Sequence, residues 1–227
     1  MTFSMKEVDF INQLHKSTQR DYLARVNDVD FPKAKAAKLA KKFDYHYWDG
    51  DRRINYGGYK YIKGRWDKVV NDMIQYYDLK SDSKILDVGC GKGYLLYDFK
   101  NILKTPFVYG IDISEYAIKN SKEEIKENLM IGNAIKLPWE DNYFDLVISI
   151  NTLHNLYLYD LEKSINEIER VGKNNKYICV ESYRNEEEKA NLLYWQVTCE
   201  AFNTPEEWKW LFRKNNYSGD YSFIYFN

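Results

Sequence analysis

Glycine and proline are scarce in this chain, which has 11 Gly and 4 Pro among its 227 residues. Average usage is about 7% Gly and about 5% Pro, so the shortage excludes a collagen-like, linker-like or low-complexity chain. Aromatic residues make up 17% of the sequence and hydrophobic residues 44%, which indicates a packed globular protein. The length fits one large domain, or one domain with an extension, and allows a core without disulfides or a structural metal.

The sequence also lacks paired cysteines, a charge surplus and a long apolar run. Cys90, Cys179 and Cys199 are far apart and form no C-x-x-C motif, so neither a disulfide framework nor a metal site is expected. The 33 basic and 34 acidic residues give a net charge of −1, which does not favour nucleic acid as the main partner. No run approaches the roughly 18 apolar residues of a membrane span, and residues 1–10 lack the apolar stretch of a signal peptide. We therefore expect a cytoplasmic protein without membrane insertion.

Short apolar runs alternate with helical patterns in the second half of the chain. The predicted strands are residues 84–88, 107–111, 129–131, 144–150, 176–181 and 221–226. The predicted helices among them are residues 94–103, 115–126, 161–170 and 186–202. This alternation predicts an α/β fold with a doubly wound, mostly parallel, Rossmann-like sheet of six or seven strands and helices on both faces.

The first 80 residues differ in composition from the rest. Residues 1–44 read as helical, and a helix is also predicted over 67–77. Between them, residues 45–66 hold five Tyr, two Trp and four of the 11 Gly. This stretch, called the aromatic segment below, is too Gly-rich for a helix and too aromatic for a linker. We expect a helical and aromatic extension over 1–80 and the α/β domain over 81–227.

Three of the scarce glycines fall within five positions, in residues 87–93 with the sequence DVGCGKG. This glycine loop follows a predicted strand and precedes a predicted helix. Glycines let the backbone turn sharply and approach a ligand closely. The spacing D-x-G-x-G-x-G matches neither the dinucleotide fingerprint G-x-G-x-x-G nor the phosphate-binding P-loop. The loop therefore predicts a ligand site of another class.

The glycine loop and the motifs after it resemble those of the class I S-adenosylmethionine-dependent methyltransferases, over about residues 84–181. The resemblance implies that the acidic residue and glycines of the loop hold the methionine and ribose end of S-adenosylmethionine, with S-adenosylhomocysteine as the product. The cofactor-binding residues that it implies are Asp87, Gly89, Cys90, Gly91, Gly93, Asp112, Ile113, Asn133, Ala134 and Asn151.

Two of these residues have specific implied roles beyond the loop. Asp112, at the end of the second predicted strand, would accept hydrogen bonds from both ribose hydroxyls, because a carboxylate offers two acceptor oxygens. Ile113 would lie against the adenine. Asn133 stands where the family usually has Asp; its amide still accepts a hydrogen bond, but without charge, so the bond to adenine would be weaker.

The acceptor-binding side is less specific in the sequence. His154, after the fourth predicted strand, is a candidate general base because imidazole titrates near neutral pH. The alternative is a histidine that packs under the cofactor or caps the next helix. Arg184 is a candidate for binding a phosphate or carboxylate of the substrate. The alternative role for Arg184 is a surface salt bridge with residues 186–188. The expected substrate-binding residues are Tyr56, Tyr59, Arg65, His154, Tyr183 and Arg184.

The aromatic segment lies where this family places its cofactor and substrate lid. Its glycines would act as hinges and its rings would exclude water. The alternative is an irregular segment packed into the core.

The resemblance implies methyl transfer to a small molecule by a monomer or homodimer, with no metal and no nucleic-acid partner. Similarity to proteins of bacterial surface-polysaccharide gene clusters implies a phosphorylated or nucleotide-activated precursor, including those of the capsular O-methyl phosphoramidate pathway, with Arg65 and Arg184 facing phosphate. One alternative is a protein- or RNA-directed methyltransferase, which would use the five lysines between residues 33 and 42. Another Rossmann-fold enzyme, such as a short-chain dehydrogenase, would need Tyr-x-x-x-Lys after the fourth strand.

Overall fold

The computed structural model describes residues 5–11, 14 and 20–227, and within them six strands form one parallel sheet in the order β3-β2-β1-β4-β5-β6. The strands are β1 Ile85–Val88, β2 Val108–Asp112, β3 Leu129–Ile131, β4 Phe144–Ile150, β5 Gly172–Glu181 and β6 Asp220–Ile224. The predicted doubly wound α/β fold is confirmed. The predictions for β3 and β4 agree with the structure to the residue, because each is an apolar run with polar residues beside it.

Helices flank the sheet. They are α1 Tyr22–Asn27, α2 Lys33–Ala40, α3 Tyr45–Trp48, α4 Asp67–Tyr76, α5 Tyr94–Ile102, α6 Glu115–Lys119, α7 Glu123–Lys126, α8 Leu158–Val171, α9 Glu186–Trp195 and α10 Pro205–Lys214. Side chains cap the first turn of two of these helices. The Ser114 side chain accepts a hydrogen bond from the Ala117 N–H, and Thr204 forms a capping box with Glu207.

The sheet separates two apolar clusters, because successive residues of a strand point to opposite faces. On one face Ile85 packs with Leu96 and Phe99 of α5. On the other face Leu86 and Val88 pack with residues of α8 and α10. α4 contributes to the first cluster, so the N-terminal extension shares the core of the sheet. The domain boundary near residue 80 stays a prediction.

Several predicted boundaries were wrong. The predicted helix over 115–126 is two short helices, separated at 120–122. The helix predicted over 186–202 ends at Trp195, where Gln196 turns to an extended conformation. Residues 197–201 instead enter the core, and the N–H groups of Glu200 and Ala201 bond to the His154 carbonyl oxygen. Of the predicted helical region 1–44, the part within the described residues forms α1 and α2, and the rest lies outside them.

The sheet of the described residues has six strands, the lower of the two predicted numbers. β6 pairs in parallel with β5, and residues 213–217 end α10 and turn. On the outer side of β6, Glu7 forms a parallel bridge with Tyr221. Backbone hydrogen bonds from Val8 to Tyr221 and from Tyr221 to Lys6 hold this contact.

Candidate active site

A cavity of about 520 Å³ lies where the carboxyl ends of β1, β2, β4 and β5 meet the aromatic segment. Ligands bind at this edge of open α/β sheets, where the strand order reverses. The volume is in the range of small-molecule sites, about 300–1,000 Å³. The predicted site residues that line the cavity are Asp87, Gly89, Cys90, Gly91, Asp112, Ile113, Asn133, Ala134, Asn151, Tyr56, Tyr59, Arg65 and His154.

The cavity has two ends, defined by the sheet. β2 and β5 are separated by β1 and β4, and strands lie about 4.8 Å apart, so the two are about 14 Å apart. We call the side at Asp112 the β2 end. The side at Glu181, the last residue of β5, is the β5 end.

The glycine loop after β1 requires glycine at two positions. Gly89 has φ +84°, and a Cβ built there would lie 2.0 Å from Thr152 Oγ1. Gly91 has φ +54°, and its Cβ would lie 2.6 Å from Trp48 Cη2. Residues with a side chain rarely adopt these conformations. The loop backbone therefore comes close to the residues after β4 on one side and to the aromatic segment on the other.

Two buried carboxyl groups stand beside the glycine loop. Asp112 Oδ2 accepts a hydrogen bond of 2.7 Å from Gly91 N–H, and its Oδ1 accepts one of 2.8 Å from Ser114 N–H. Asp87 is 5% exposed, and no described residue donates a hydrogen bond to its carboxyl group. Burial, and after it the charge of Asp112, raises the pKa of Asp87 to about 8. Asp87 is therefore a buried acid that a bound cation would stabilise in its ionised form.

An ion pair ties the aromatic segment to the glycine loop. Lys92, a loop residue that is 4% exposed, donates from Nζ to both oxygens of Asp49, at 2.7 and 2.9 Å, and to the Tyr59 carbonyl oxygen at 2.9 Å. Asp49 also accepts from Tyr59 N–H and from Tyr116 Oη, both at 2.9 Å. These bonds fix the segment over the site.

Aromatic rings of the segment form a wall of the cavity. Trp48 donates from Nε1 to Ser114 Oγ at 2.8 Å and stacks on Tyr56, with ring centroids 5.4 Å apart and planes 9° apart. Tyr59 stacks on Tyr94 at 5.3 Å and 19°. The segment thus has buried rings, as the core-packed alternative implied, and it also lines the site, as expected of a lid.

At the β5 end, His154 and Glu181 form a buried pair, 2% and 3% exposed. Both ring nitrogens of His154 face Glu181: Nε2 lies 3.4 Å from Glu181 Oε2, and Nδ1 accepts from Glu181 N–H at 3.4 Å. Gln196 donates from its side chain to Glu181 Oε1. Glu181 Oε2 accepts no hydrogen bond among the described residues, and burial raises the pKa of Glu181 to about 8. Glu181 is among the residues that line the cavity, and its Oε2 is a buried oxygen without a hydrogen-bond donor among the described residues.

A profile of the methyltransferase domain family matches residues 79–216. The chain belongs to this family.

The chain is 34% identical over 142 residues to an uncharacterized protein from Methanocaldococcus jannaschii, across 60% of this chain and 57% of the relative. It is 32% identical over 130 residues to a tRNA (carboxymethyluridine(34)-5-O)-methyltransferase from Arabidopsis thaliana, across 57% of this chain and 30% of that protein. The crystal structure of the YcgJ protein from Bacillus subtilis shares the fold, with a TM-score of 0.51, 21% identity, and coverage of 64% of this chain and 66% of that one.

The chain thus carries a methyltransferase domain, a family whose methyl donor is S-adenosylmethionine, and it spans only 57% and 30% of the length of the two curated relatives. The residues at the β2 end fit this cofactor chemically. Asp87 is a buried carboxyl group to which no residue in the described ranges donates, and this suits the cationic amino group of the methionine end. The backbone of the glycine loop lines the cavity without side chains at Gly89 and Gly91, and Asp112 presents carboxylate oxygens beside it.

Three residues predicted for the site of this methyltransferase do not line its cavity. Gly93 instead allows α5 to pack on β3, since a Cβ there would lie 2.7 Å from Leu129 Cδ1. Tyr183 packs at the edge of the first apolar cluster. The Arg184 guanidinium pairs with Glu188 and lies over the Tyr225 ring, 4.0 Å from its centroid. The salt-bridge alternative for Arg184 is therefore the one that the structure contains.

Other residues that line the cavity could not be recognised as site residues from the sequence. Glu181 reads as the end of an apolar strand, and Arg20, Arg52 and Trp195 come from three separate regions of the chain. Lys92, which pairs with Asp49, occupies a position of the glycine motif that any residue type can fill. No group of three His, Cys, Asp or Glu side chains in the described ranges is arranged to hold a metal ion. The helices in those ranges are too short or too polar to cross a membrane.

Proposed function

We propose that this methyltransferase acts on a small molecule that binds at the β5 end of the cavity. The observation that carries this proposal is the aromatic segment, which the Lys92–Asp49 ion pair holds across the glycine loop. A site covered in this way suits an acceptor small enough to be enclosed, and enclosure excludes water from the reacting atoms.

In this proposal the β2 end binds S-adenosylmethionine through the residues implied by the sequence. Asp87 and the glycine loop hold the methionine and ribose end, Asp112 accepts from the ribose hydroxyls, and Ile113 and Asn133 lie beside the adenine. When bound, the cofactor supplies an electrophilic methyl group on a sulfonium sulfur. The protein's part is to position the acceptor against that methyl group, which supplies up to about 7–11 kcal/mol of the barrier reduction.

Glu181 is the proposed proton acceptor, and His154 is its proposed positioning residue. Glu181 would take the proton that the acceptor's oxygen or nitrogen loses when it is methylated. The cofactor would supply the methyl group and keep the electron pair of the carbon–sulfur bond on sulfur, so the charges would balance. His154 orients the Glu181 carboxyl group through Nε2, at 3.4 Å. A carboxyl group whose pKa lies near neutrality suits this role better than an ordinary one.

The sequence resemblance extends the proposal to phosphorylated or nucleotide-activated precursors of bacterial surface polysaccharides. Arg65 lines the cavity and supports a phosphate-bearing acceptor. Arg184 gives no such support, because Glu188 holds its guanidinium. Of the lysines between 33 and 42, which a macromolecular acceptor would contact, Lys41 pairs with Glu200 and Lys35 lies over the Phe31 ring.

Calorimetry and a methylation screen test the proposal together. S-adenosylmethionine and S-adenosylhomocysteine are expected to bind, and NADH is not. With a cofactor carrying an isotope-labelled methyl group, the label is expected in small acceptors, detected by mass spectrometry across sugar phosphates, nucleotide-linked sugars and free amines. Label found only in tRNA or in protein, supplied in parallel reactions, would refute a small acceptor.

A further inference from the structure

Three arginine side chains surround the Trp195 ring, beside Glu181 at the β5 end. Their guanidinium carbons lie 5.7 Å (Arg20), 4.8 Å (Arg25) and 5.5 Å (Arg52) from the centroid of that ring. Cation–π contacts of this kind stabilise a guanidinium but leave its charge in place. The cluster therefore places three positive charges around one aromatic side chain.

Carboxylates do not balance the charges of Arg25 and Arg52. Arg25 donates to the carbonyl oxygens of Trp195, Arg53 and Ile54, and Arg52 donates to that of Asn55. Among the described residues neither guanidinium has an Asp or Glu oxygen within 4.0 Å, and the residues outside that description include no acidic side chain.

Arg53, the next arginine along the chain, is one whose charge is balanced by carboxylates. Arg53 pairs with Asp51 at 2.7 Å and lies 3.5 Å from Asp30 and 3.9 Å from Asp28. It is not among the residues that line the cavity, whereas Arg52 is. The uncompensated charge is thus on the side chain that faces the cavity.

The positive charges also act on one another. Burial, and after it the charge of Arg52, lowers the pKa of Arg25 to about 10. An anion between the guanidinium groups would relieve both effects. Arg20 and Arg52 both line the cavity, as do Asn55 and Gln196.

We propose that Arg20 and Arg52, with Arg25 behind them, bind an anionic group of the methyl acceptor, a phosphate or a carboxylate. This inference rests on the proposed function and assigns the anion to the Trp195 side of the β5 end. The guanidinium fork matches both oxyanions in two-point geometry. Glu181 stands at the same end, so an acceptor held by its anion would present a hydroxyl or amine to that carboxyl group.

The test uses the full chain saturated with S-adenosylhomocysteine and titrated by calorimetry with inorganic phosphate, and separately with succinate, in low-chloride buffer. We expect saturable binding of at least one probe. Arg52→Gln and Arg20→Gln are each expected to weaken it at least ten-fold, with the affinity for S-adenosylhomocysteine unchanged. Arg53→Gln is the matched control and is expected to leave the affinities for the probes unchanged.

The outcomes separate this inference from the proposed function. Equal probe affinity in the wild type, Arg52→Gln and Arg20→Gln proteins, with S-adenosylhomocysteine still bound, would overturn the anion site alone. Loss of S-adenosylhomocysteine binding by the wild type would instead overturn the cofactor assignment. Tighter phosphate than succinate would identify a phosphate-bearing acceptor, and the reverse would identify a carboxylate; either supports the site. The circular dichroism spectrum and unfolding temperature of each variant verify that it is folded.

Discussion

The two ends of the cavity carry opposite charge and are built in different ways. The β2 end presents the carboxyl groups of Asp87 and Asp112, and its residues come from one stretch of chain between 87 and 134. The β5 end presents Arg20 and Arg52 beside Glu181, assembled from distant parts of the sequence. The first arrangement suits a ligand with positive charge, and the second suits a ligand with an anion and an ionisable nucleophile.

This difference means that each end can be altered without the other. A change at the β5 end should affect the rate of methyl transfer and leave cofactor binding intact. A change at the β2 end should weaken cofactor binding and leave kcat at saturating cofactor unchanged.

The largest effect is expected from Glu181→Gln. Without a proton acceptor, kcat should fall roughly 100- to 10,000-fold, while S-adenosylhomocysteine binds as in the wild type. In the wild type, kcat should rise as the pH increases through about 8, because Glu181 must lose its proton to act. Initial rates with an acceptor from the methylation screen measure both. Glu187→Gln, an exposed change on α9, is the control, and an unaltered kcat in Glu181→Gln would exclude the proposed base.

At the β2 end, Gly89→Ala should weaken S-adenosylhomocysteine binding by about 100-fold. The left-handed backbone alone disfavours a side chain by about 1–2 kcal/mol, and the new Cβ would also lie 2.0 Å from Thr152 Oγ1. Calorimetry gives the affinity and urea unfolding gives the stability. Gly64→Ala is the matched control: its φ of +79° is similar, but the nearest atom to its Cβ would be 3.6 Å away. Equal affinities in the two variants would contradict a steric role for Gly89.

A smaller loss of affinity for S-adenosylhomocysteine is expected for Asp112→Asn. Hydrogen bonds to a charged group contribute about 1.5–3 kcal/mol and neutral ones about 0.5–1.5, so affinity for S-adenosylhomocysteine should fall about ten-fold. The exposed Asp82→Asn change should have no effect in the same titration. If Asp112→Asn bound the cofactor as tightly as the wild type, Asp112 would not be the ribose acceptor.

The dependence of stability on pH involves one carboxyl group from each end. Asp87 and Glu181 have pKa values raised to about 8 in the folded protein, above their ordinary values of 3.8 and 4.5. The folded state therefore holds these protons more tightly, and their contribution to stability is lost as the pH rises toward 8. Each contributes a slope of at most about 1.4 kcal/mol per pH unit.

Urea unfolding between pH 5.5 and 8 measures this slope. Asp87→Asn and Glu181→Gln should each remove one part of it, and the two parts should add, because the groups stand at opposite ends of the cavity. A slope that neither substitution changes would show that these carboxyl groups do not titrate in that range.

The β2 end could be predicted from the sequence because its signals are local. The loop needs glycines at Gly89 and Gly91 for backbone reasons, and Ser114 caps the helix that starts beside it. The apolar run of β4 could be recognised for the same reason, because a strand that is buried on both faces has an apolar composition that can be recognised without its neighbours.

The β5 end could not be predicted in this way. Trp195 was placed inside a long helix, because nothing in residues 186–202 shows that Gln196 leaves the helix to bond with Glu181. Arg184 and Arg52 look equivalent in the sequence. The difference between them is Glu188, which neutralises Arg184, and the absence of any such carboxylate beside Arg52 among the described residues. Charge balance of this kind depends on tertiary contacts.

The ion pair between Lys92 and Asp49 has a consequence for exchange kinetics. A ligand whose release requires the aromatic segment to swing away would leave only after this pair, the bond from Lys92 to the Tyr59 carbonyl oxygen and the bond from Trp48 to Ser114 had broken. The lifetime of those bonds would then set a lower bound on the time that the ligand stays beneath the segment. The rate of release by that route would therefore depend on residues that contact neither the methyl group nor its acceptor.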